Sequence, residues 1–255
     1  MAETRIRLVT RGDDSGSCHT ANAAIRDAFE KGILRNTSLM APCPAFEDAA
    51  EMLAGLEGLC VGLHATLNAE WEEVKWGPVL PPERVPSLVD RHGNLFQTTA
   101  ALHANGPDPD EIMAEIQAQL DLARSRGFDI AYMDCHMGFT WVAEEVADRV
   151  AELAEREGLI HRPEGVSGLP RVEGEFDNVV DQVVARLEAA EPGTYMLVGH
   201  PGYDNLEMAR LGHEGYRNIG RARDWERRMF MDKKVLDCCK ANGVEPIRYT
   251  EIEGG

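Results

Sequence analysis

The sequence predicts a single-domain α/β protein, an irregular (β/α) barrel of about seven mainly parallel strands, and three observations carry that reading. Short apolar, β-rich runs alternate with longer amphipathic ones along the chain. Aspartate and histidine recur where several of the short runs end. No linker, low-complexity tract or internal repeat divides the 255 residues, a length that α/β barrels occupy as one unit. An open doubly wound sheet remains the alternative, because periodicity alone does not separate the two.

The strands expected are Ile6 to Thr10, Thr37 to Met40, Leu59 to His64, Ile130 to Asp134, Leu159 to His161, Tyr195 to Val198 and Pro246 to Tyr249. Helical patterns lie between them. The first runs from about Thr20 to Lys31 and stops at Gly32, and a second covers Ala45 to Leu56. Asp108-Pro109-Asp110-Glu111 reads as an N-cap, a first-turn proline and acidic residues favoured by the helix dipole. Ile112, Ile116, Leu120 and Ala123 then share one face of that helix. Further helices are expected over Trp141 to Glu157, Phe176 to Ala190 and Ala222 to Asn242. Two long connections break the rhythm, 68–106 with Trp71, Trp76 and several prolines, and 200–220, rich in Gly, Tyr and His. Loops of such length are functional or disordered, and the aromatics of the first argue against disorder.

A chain this long buries roughly three-quarters of its unfolded surface, so a metal, if present, serves chemistry rather than folding. The net charge of -18, from 44 acidic and 26 basic residues, argues against a nucleic-acid partner and an anionic membrane surface. A neutral or cationic small molecule suits that field better. The six cysteines show no paired spacing, the N-terminus MAETRIRLVT has no signal-like apolar core, and no stretch is long enough to span a bilayer. A soluble cytoplasmic protein with reduced thiols is expected.

The position of the reactive side chains is the strongest functional signal. Asp13 and Asp14 follow the first strand, His64 closes the third, His136 stands just past Asp134 on the fourth, and His200 ends the sixth. Parallel α/β folds gather functional groups at the C-terminal ends of their strands, so these segments should meet at one rim. Two imidazoles and a carboxylate make a three-ligand catalytic metal site with a place left for water. The adjacent carboxylates allow one to ligate while the other takes a proton from water. Trp71 and Trp76 could stack on a sugar or anchor their loop, and His161 follows a strand as well. His19, His92, His103 and His213 read as surface or structural residues.

The motifs Gly12-Asp13-Asp14-Ser15-Gly16, Thr37-Ser38-Leu39-Met40, Gly62 to Asn68, Pro86 to Gly93, Asp134-Cys135-His136 and Gly199-His200-Pro201-Gly202-Tyr203 occur in order across nearly the whole chain. With them the sequence resembles the YdjC-like carbohydrate deacetylases. That resemblance implies a TIM-like barrel, one divalent metal ion (magnesium or zinc), an acetylated amino sugar as substrate, and often a homodimer. Carried over by position, Asp14, His64 and His136 become the metal ligands, Asp13 the general base and His200 the acid or oxyanion partner. Trp71, Trp76, Tyr203 and Arg221 are the substrate-binding candidates. Two positions depart from the family pattern: no second histidine follows His136 within Met137 to Thr140, and Arg11 stands where an Asn-like residue is usual. The rivals are another metal-dependent amide or phosphoester hydrolase, which would use Arg11, Arg217, Arg221 or Arg223, and a non-catalytic sugar-binding relative.

Overall fold

The structure, a computed structural model, describes residues 5–217 and 219–252. The charged N-terminal residues 1–4, expected to lead into the first strand, lie outside the described residues, as does Asn218 in the second long loop. The chain folds as β1 (Ile6–Ser15), α1 (His19–Lys31), β2 (Asn36–Leu39), α2 (Phe46–Leu53), β3 (Cys60–Ala65), α3 (Thr99–Ala104), α4 (Pro109–Ser125) and β4 (Ile130–Cys135). It continues with α5 (Val146–Arg156), β5 (Val166–Gly168), α6 (Val179–Glu188), β6 (Gly193–Gly199), α7 (Ile219–Met231), α8 (Lys233–Ala241) and β7 (Val244–Ile247).

All strand pairs are parallel, in the order β4-β3-β2-β1-β6-β5, with β7 pairing the first half of β1. The sheet curls into a half-barrel flanked by helices, so the barrel reading holds over the doubly wound one. Alternation along each strand sorts side chains between two layers. Leu8, Leu39, Val61, Leu63 and Met133 join the large core under the helices, whereas Val9, Cys60, Tyr132, Ile247, Tyr249 and Ile252 fill the concave side. Gly62 lets the Tyr132 ring lie across β3, where a methyl group would collide with it, and Tyr132 stacks on Tyr249 at 3.9 Å between ring centres. Asn36 stitches the concave side together: its amide donates to the Thr10 and Ile247 carbonyls, and its oxygen accepts from the Tyr249 backbone.

Several boundaries differ from expectation for local reasons. Leu159 to His161 forms a single bridge, Ile160 to Tyr132, rather than a strand, and the short edge strand β5 lies just beyond it. The helix expected over Ala222 to Asn242 divides at Asp232, whose side chain accepts from the Lys234 amide and starts α8 anew. The helix expected from Trp141 is delayed to Val146, because His136–Trp141 turns as a 3₁₀ segment broken at Met137 and Gly138. The loop 68–106 is ordered by docking on α4. Buried Glu115 accepts from the Val79 and Leu80 amides, Gln119 pairs with both backbone groups of Thr66, and Glu111 holds Ser87. Within that loop, α3 went unforeseen; Thr98 caps it. No helix of the described residues is long and apolar enough to cross a membrane. The six cysteines are all free thiols.

Candidate metal and catalytic site

Strand parity builds most of the site. Arg11 and Asp13 on β1, Ser38 on β2, His64 on β3 and Asp134 on β4 share the parity of the concave-facing residues. Asp14 does not, and a regular strand would send it into the helical layer. The chain resolves this with a break. Asp13 and Asp14 lie inside β1 rather than past its end, the β1–β2 register slips between Gly12 and Ser15, and Asp14 takes a left-handed φ of 67°. Aspartate tolerates that region better than most residues, and a bulge re-aims a side chain. Both carboxylates therefore line one cavity of about 390 Å³. Gly16 makes the tight return possible: its φ is 92°, and a Cβ there would stand 2.7 Å from the Met40 carbonyl oxygen. Ser17 then donates to the Asp14 carbonyl, and Asn22 accepts from the Gly16 amide.

Three donor atoms converge, from β1, from β3 and from the 3₁₀ segment that follows β4. His64 Nε2 lies 3.6 Å and His136 Nδ1 3.7 Å from Asp14 Oδ1, and the two rings meet edge to face at 5.2 Å. Asp14 Oδ1 is buried and has no hydrogen-bond partner. A buried carboxylate oxygen costs free energy unless something satisfies it, so an acceptor left bare between two imidazole nitrogens fits a cation. The same three residues can bring one ligand atom each within 4.8 Å of one another. The other Asp14 oxygen is held by the buried guanidinium of Arg223 at 2.7 Å.

Each histidine is oriented from behind by a carboxylate. His64 Nδ1 is 2.7 Å from Asp134, His136 Nε2 is 2.9 Å from Glu70, and His200 Nδ1 is 3.0 Å from Glu226. Such partners choose the ring tautomer and leave the opposite nitrogen facing the cavity. Burial weighs against a charged His64, but Asp134 and then Asp13 and Asp14 outweigh it, raising the imidazole to about 9. Burial would likewise raise Asp14, yet Arg223, His200, His136 and His64 together hold its carboxyl well below the usual range. For His200 the desolvation cost is exceeded by the hydrogen bond to Glu226 and the charge of Asp14, so its proton is held more tightly than usual. Cys135 also lines the cavity, but burial pushes its thiol up to about 12, which removes it as a nucleophile.

Asp13, Asp14, His64, His136 and His200 all line this cavity, as the strand-end reading expected. The substrate-side candidates fare unevenly. Trp71 lines the cavity but is buried, with the Arg223 guanidinium 5.3 Å over its ring and His213 stacked at 6.4 Å, so it is a wall rather than an open platform. Trp76 is buried in the loop core away from the cavity and anchors its loop. The Tyr203 hydroxyl donates to Asp27 on α1, and Arg227 covers its ring, which ties it to the helical layer. Arg221 points outward because it sits two residues from Arg223 on α7, roughly 200° around the helix. His161 is fixed on the Met133 carbonyl and does not line the cavity.

Other residues take their place. Glu70, Met137, His213, Tyr216, Arg223 and Glu226 all line the cavity. Met137 and Tyr216 are the exposed apolar groups at its mouth, 42% and 39% accessible. The segment bearing His213 and Tyr216 is clasped to the first long loop through Glu72, whose amide donates to the Gly212 carbonyl and whose carboxylate accepts from the Glu214 amide. Parity with His136 marked Asp134, and the three-residue helical spacing of Arg223 and Glu226 places them on one face. Nothing local marked Glu70 or Tyr216.

Comparison with known proteins gives the family of the chain. A carbohydrate deacetylase of Thermoanaerobacter pseudethanolicus is 27% identical over 96% of this chain and 99% of its own. Carbohydrate deacetylase 2 of Listeria innocua is 26% identical over 97% of this chain and 99% of its own. Among solved structures, an Enterococcus faecalis V583 protein described as a cellobiose-phosphate cleavage protein superposes with a TM-score of 0.79 at 18% identity, covering 96% of this chain and 98% of that one, which speaks for the fold. The model of the YdjC-like proteins matches residues 7–241, and the chain belongs to that family.

Proposed function

We propose that the protein is a metal-dependent hydrolase that removes the acetyl group from an N-acetylated amino sugar or a short oligosaccharide. The observation that carries this reading is the bare Asp14 oxygen between His64 Nε2 and His136 Nδ1, in the same cavity as Asp13 and His200. Two imidazoles with one carboxylate suit zinc and its transition-metal neighbours better than magnesium, which prefers an all-oxygen set. Such an ion polarises a bound carbonyl and acidifies water.

The chain's own groups supply the proton traffic. Asp13 takes a proton from the attacking water as the water oxygen bonds to the acetamide carbon. His200, protonated and braced by Glu226, gives a proton to the nitrogen as the C–N bond breaks, and acetate and the free amino sugar leave. The names of the two relatives support the choice of substrate. The local charge supports a neutral one. Five carboxylates (Asp13, Asp14, Asp134, Glu70 and Glu226) face only two guanidinium groups, and both are already engaged, Arg11 by Asp13 and Asp134 and Arg223 by Asp14. Among the described residues, Arg217 pairs with Glu72 and Arg221 does not line the cavity, so no unengaged guanidinium is offered there to a phosphoester. The unpaired thiols suit a reducing compartment such as the cytoplasm.

The deciding measurement is acetate release from a panel of N-acetylated sugars, beginning with the chitin disaccharide, before and after chelation and after zinc is restored. Activity that chelation leaves untouched, or release of phosphate instead of acetate from a phosphorylated panel, defeats the proposal.

A further inference from the structure

We propose that Arg11 is the positioning residue of this reaction: one largely enclosed guanidinium grips both Asp13 and Asp134, so a single side chain sets the proton acceptor and the group that aims His64. The inference rests on the deacetylase reading for the role of Asp13, while the grip itself is a matter of geometry.

All three guanidinium nitrogens of Arg11 are engaged. Nε donates to Asp13 Oδ1 at 2.7 Å, and one terminal nitrogen donates to Asp13 Oδ2 at 2.9 Å. The other terminal nitrogen faces Asp134 Oδ2 at 2.5 Å and the Tyr249 hydroxyl at 2.9 Å. The side chains involved are 13%, 5% and 17% exposed for Arg11, Asp13 and Asp134, so little water competes. Two carboxylates this close repel unless a cation lies between them, and a planar fork fixes the plane of each as well as the distance. Each Asp13 oxygen keeps a second lone pair, so the grip orients the carboxylate without exhausting it. Asp134 in turn holds His64 Nδ1 and accepts from Ser38. Tyr249, stacked on Tyr132, buttresses the guanidinium from the C-terminal segment. A local fact of β1 thus carries to both halves of the site: residue 11 shares strand parity with 13, and its register partner on β2 is Asn36.

The test uses the full chain loaded with zinc, comparing Arg11→Gln and Arg11→Lys with wild type. Three quantities are read: kcat and KM for acetate release from the chitin disaccharide, zinc affinity by competition with a chelator, and folding by circular dichroism. In Arg11→Gln, kcat should fall about 100-fold with KM within about twofold, the size expected for a misplaced reacting group. Zinc affinity should fall about 10-fold through the loosened Asp134–His64 pair. Arg11→Lys keeps the charge but not the fork, and should recover less than a tenth of the lost kcat. A folded Arg11→Lys with wild-type kcat and zinc affinity overturns the proposal, and does so even if Arg11→Gln fails to fold. A wild-type protein that releases no acetate from any sugar of the N-acetylated panel, beside an Arg11→Gln protein with weakened zinc binding, defeats the deacetylase reading and upholds the grip on Asp134. Unchanged zinc affinity and unchanged kcat in folded Arg11→Gln overturn the grip altogether.

Discussion

His64 and Asp134 are register partners on β3 and β4, and their side chains meet at 2.7 Å between imidazole Nδ1 and carboxylate. Neighbouring parallel strands put the two on the same face at the same height, so the pairing follows from the sheet rather than from any loop. Its consequence is that His64 Nε2 faces Asp14. Replacing Asp134 by Asn should weaken zinc binding by about 10- to 100-fold while the protein remains folded, read by chelator competition. An unaltered zinc affinity would show that Asp134 does not aim the ring.

The same pair predicts a pH dependence of metal uptake. With no metal bound, Asp134 helps raise His64 to about 9 from an ordinary 6.5. A metal binds the neutral ring and must displace that proton. Zinc affinity should therefore climb as pH rises from 6.5 to 9 and flatten above that. A zinc titration that is flat across the interval contradicts this.

Ligands and base separate by substitution. His64→Ala and His136→Ala should leave the purified protein without metal by elemental analysis. Asp13→Asn should keep its metal while acetate release drops on the order of 100- to 10,000-fold, the usual worth of a general base. Equal metal loss in all three would merge the roles assigned here.

His200 should set the alkaline limb of the pH–kcat/KM profile. It acts in its protonated form, and the hydrogen bond that its Nδ1 donates to Glu226 raises its pKa. Glu226→Gln removes that support, so the limb should move to lower pH and activity should be lost earlier on the alkaline side. A limb that stays in place, or moves upward, excludes His200 as the acid.

Two substitutions probe the concave core. Gly62→Ala drives a methyl group into the Tyr132 ring and should cost about 1–3 kcal/mol by overpacking. Asn36→Ala leaves the Thr10 and Ile247 carbonyls and the Tyr249 amide without partners, each such loss worth about 1–3 kcal/mol. Denaturant melts measure both, and a wild-type midpoint in either would remove that residue from the account of the barrel.

The sequence by itself determined the alternation of strand and helix, the amphipathic faces of α1 and α4, and the rim to which Asp13, Asp14, His64, His136 and His200 belong. Those features are local, because periodicity, capping and strand ends are written within a few residues. It also marked Arg11 as unusual without saying what the guanidinium would touch. Tertiary structure alone decided the rest. The register slip that turns Asp14 beside Asp13, the carboxylates of Glu70 and Glu226 behind their histidines, and the burial of Trp71 under Arg223 all depend on segments far apart in the chain. Arg221 and Arg223 are nearly equivalent as letters, yet one faces solvent and the other Asp14, because helix phase against the sheet is set by packing. Contacts of that kind are fixed by how the half-barrel closes over its concave side, and no window of neighbouring residues encodes them.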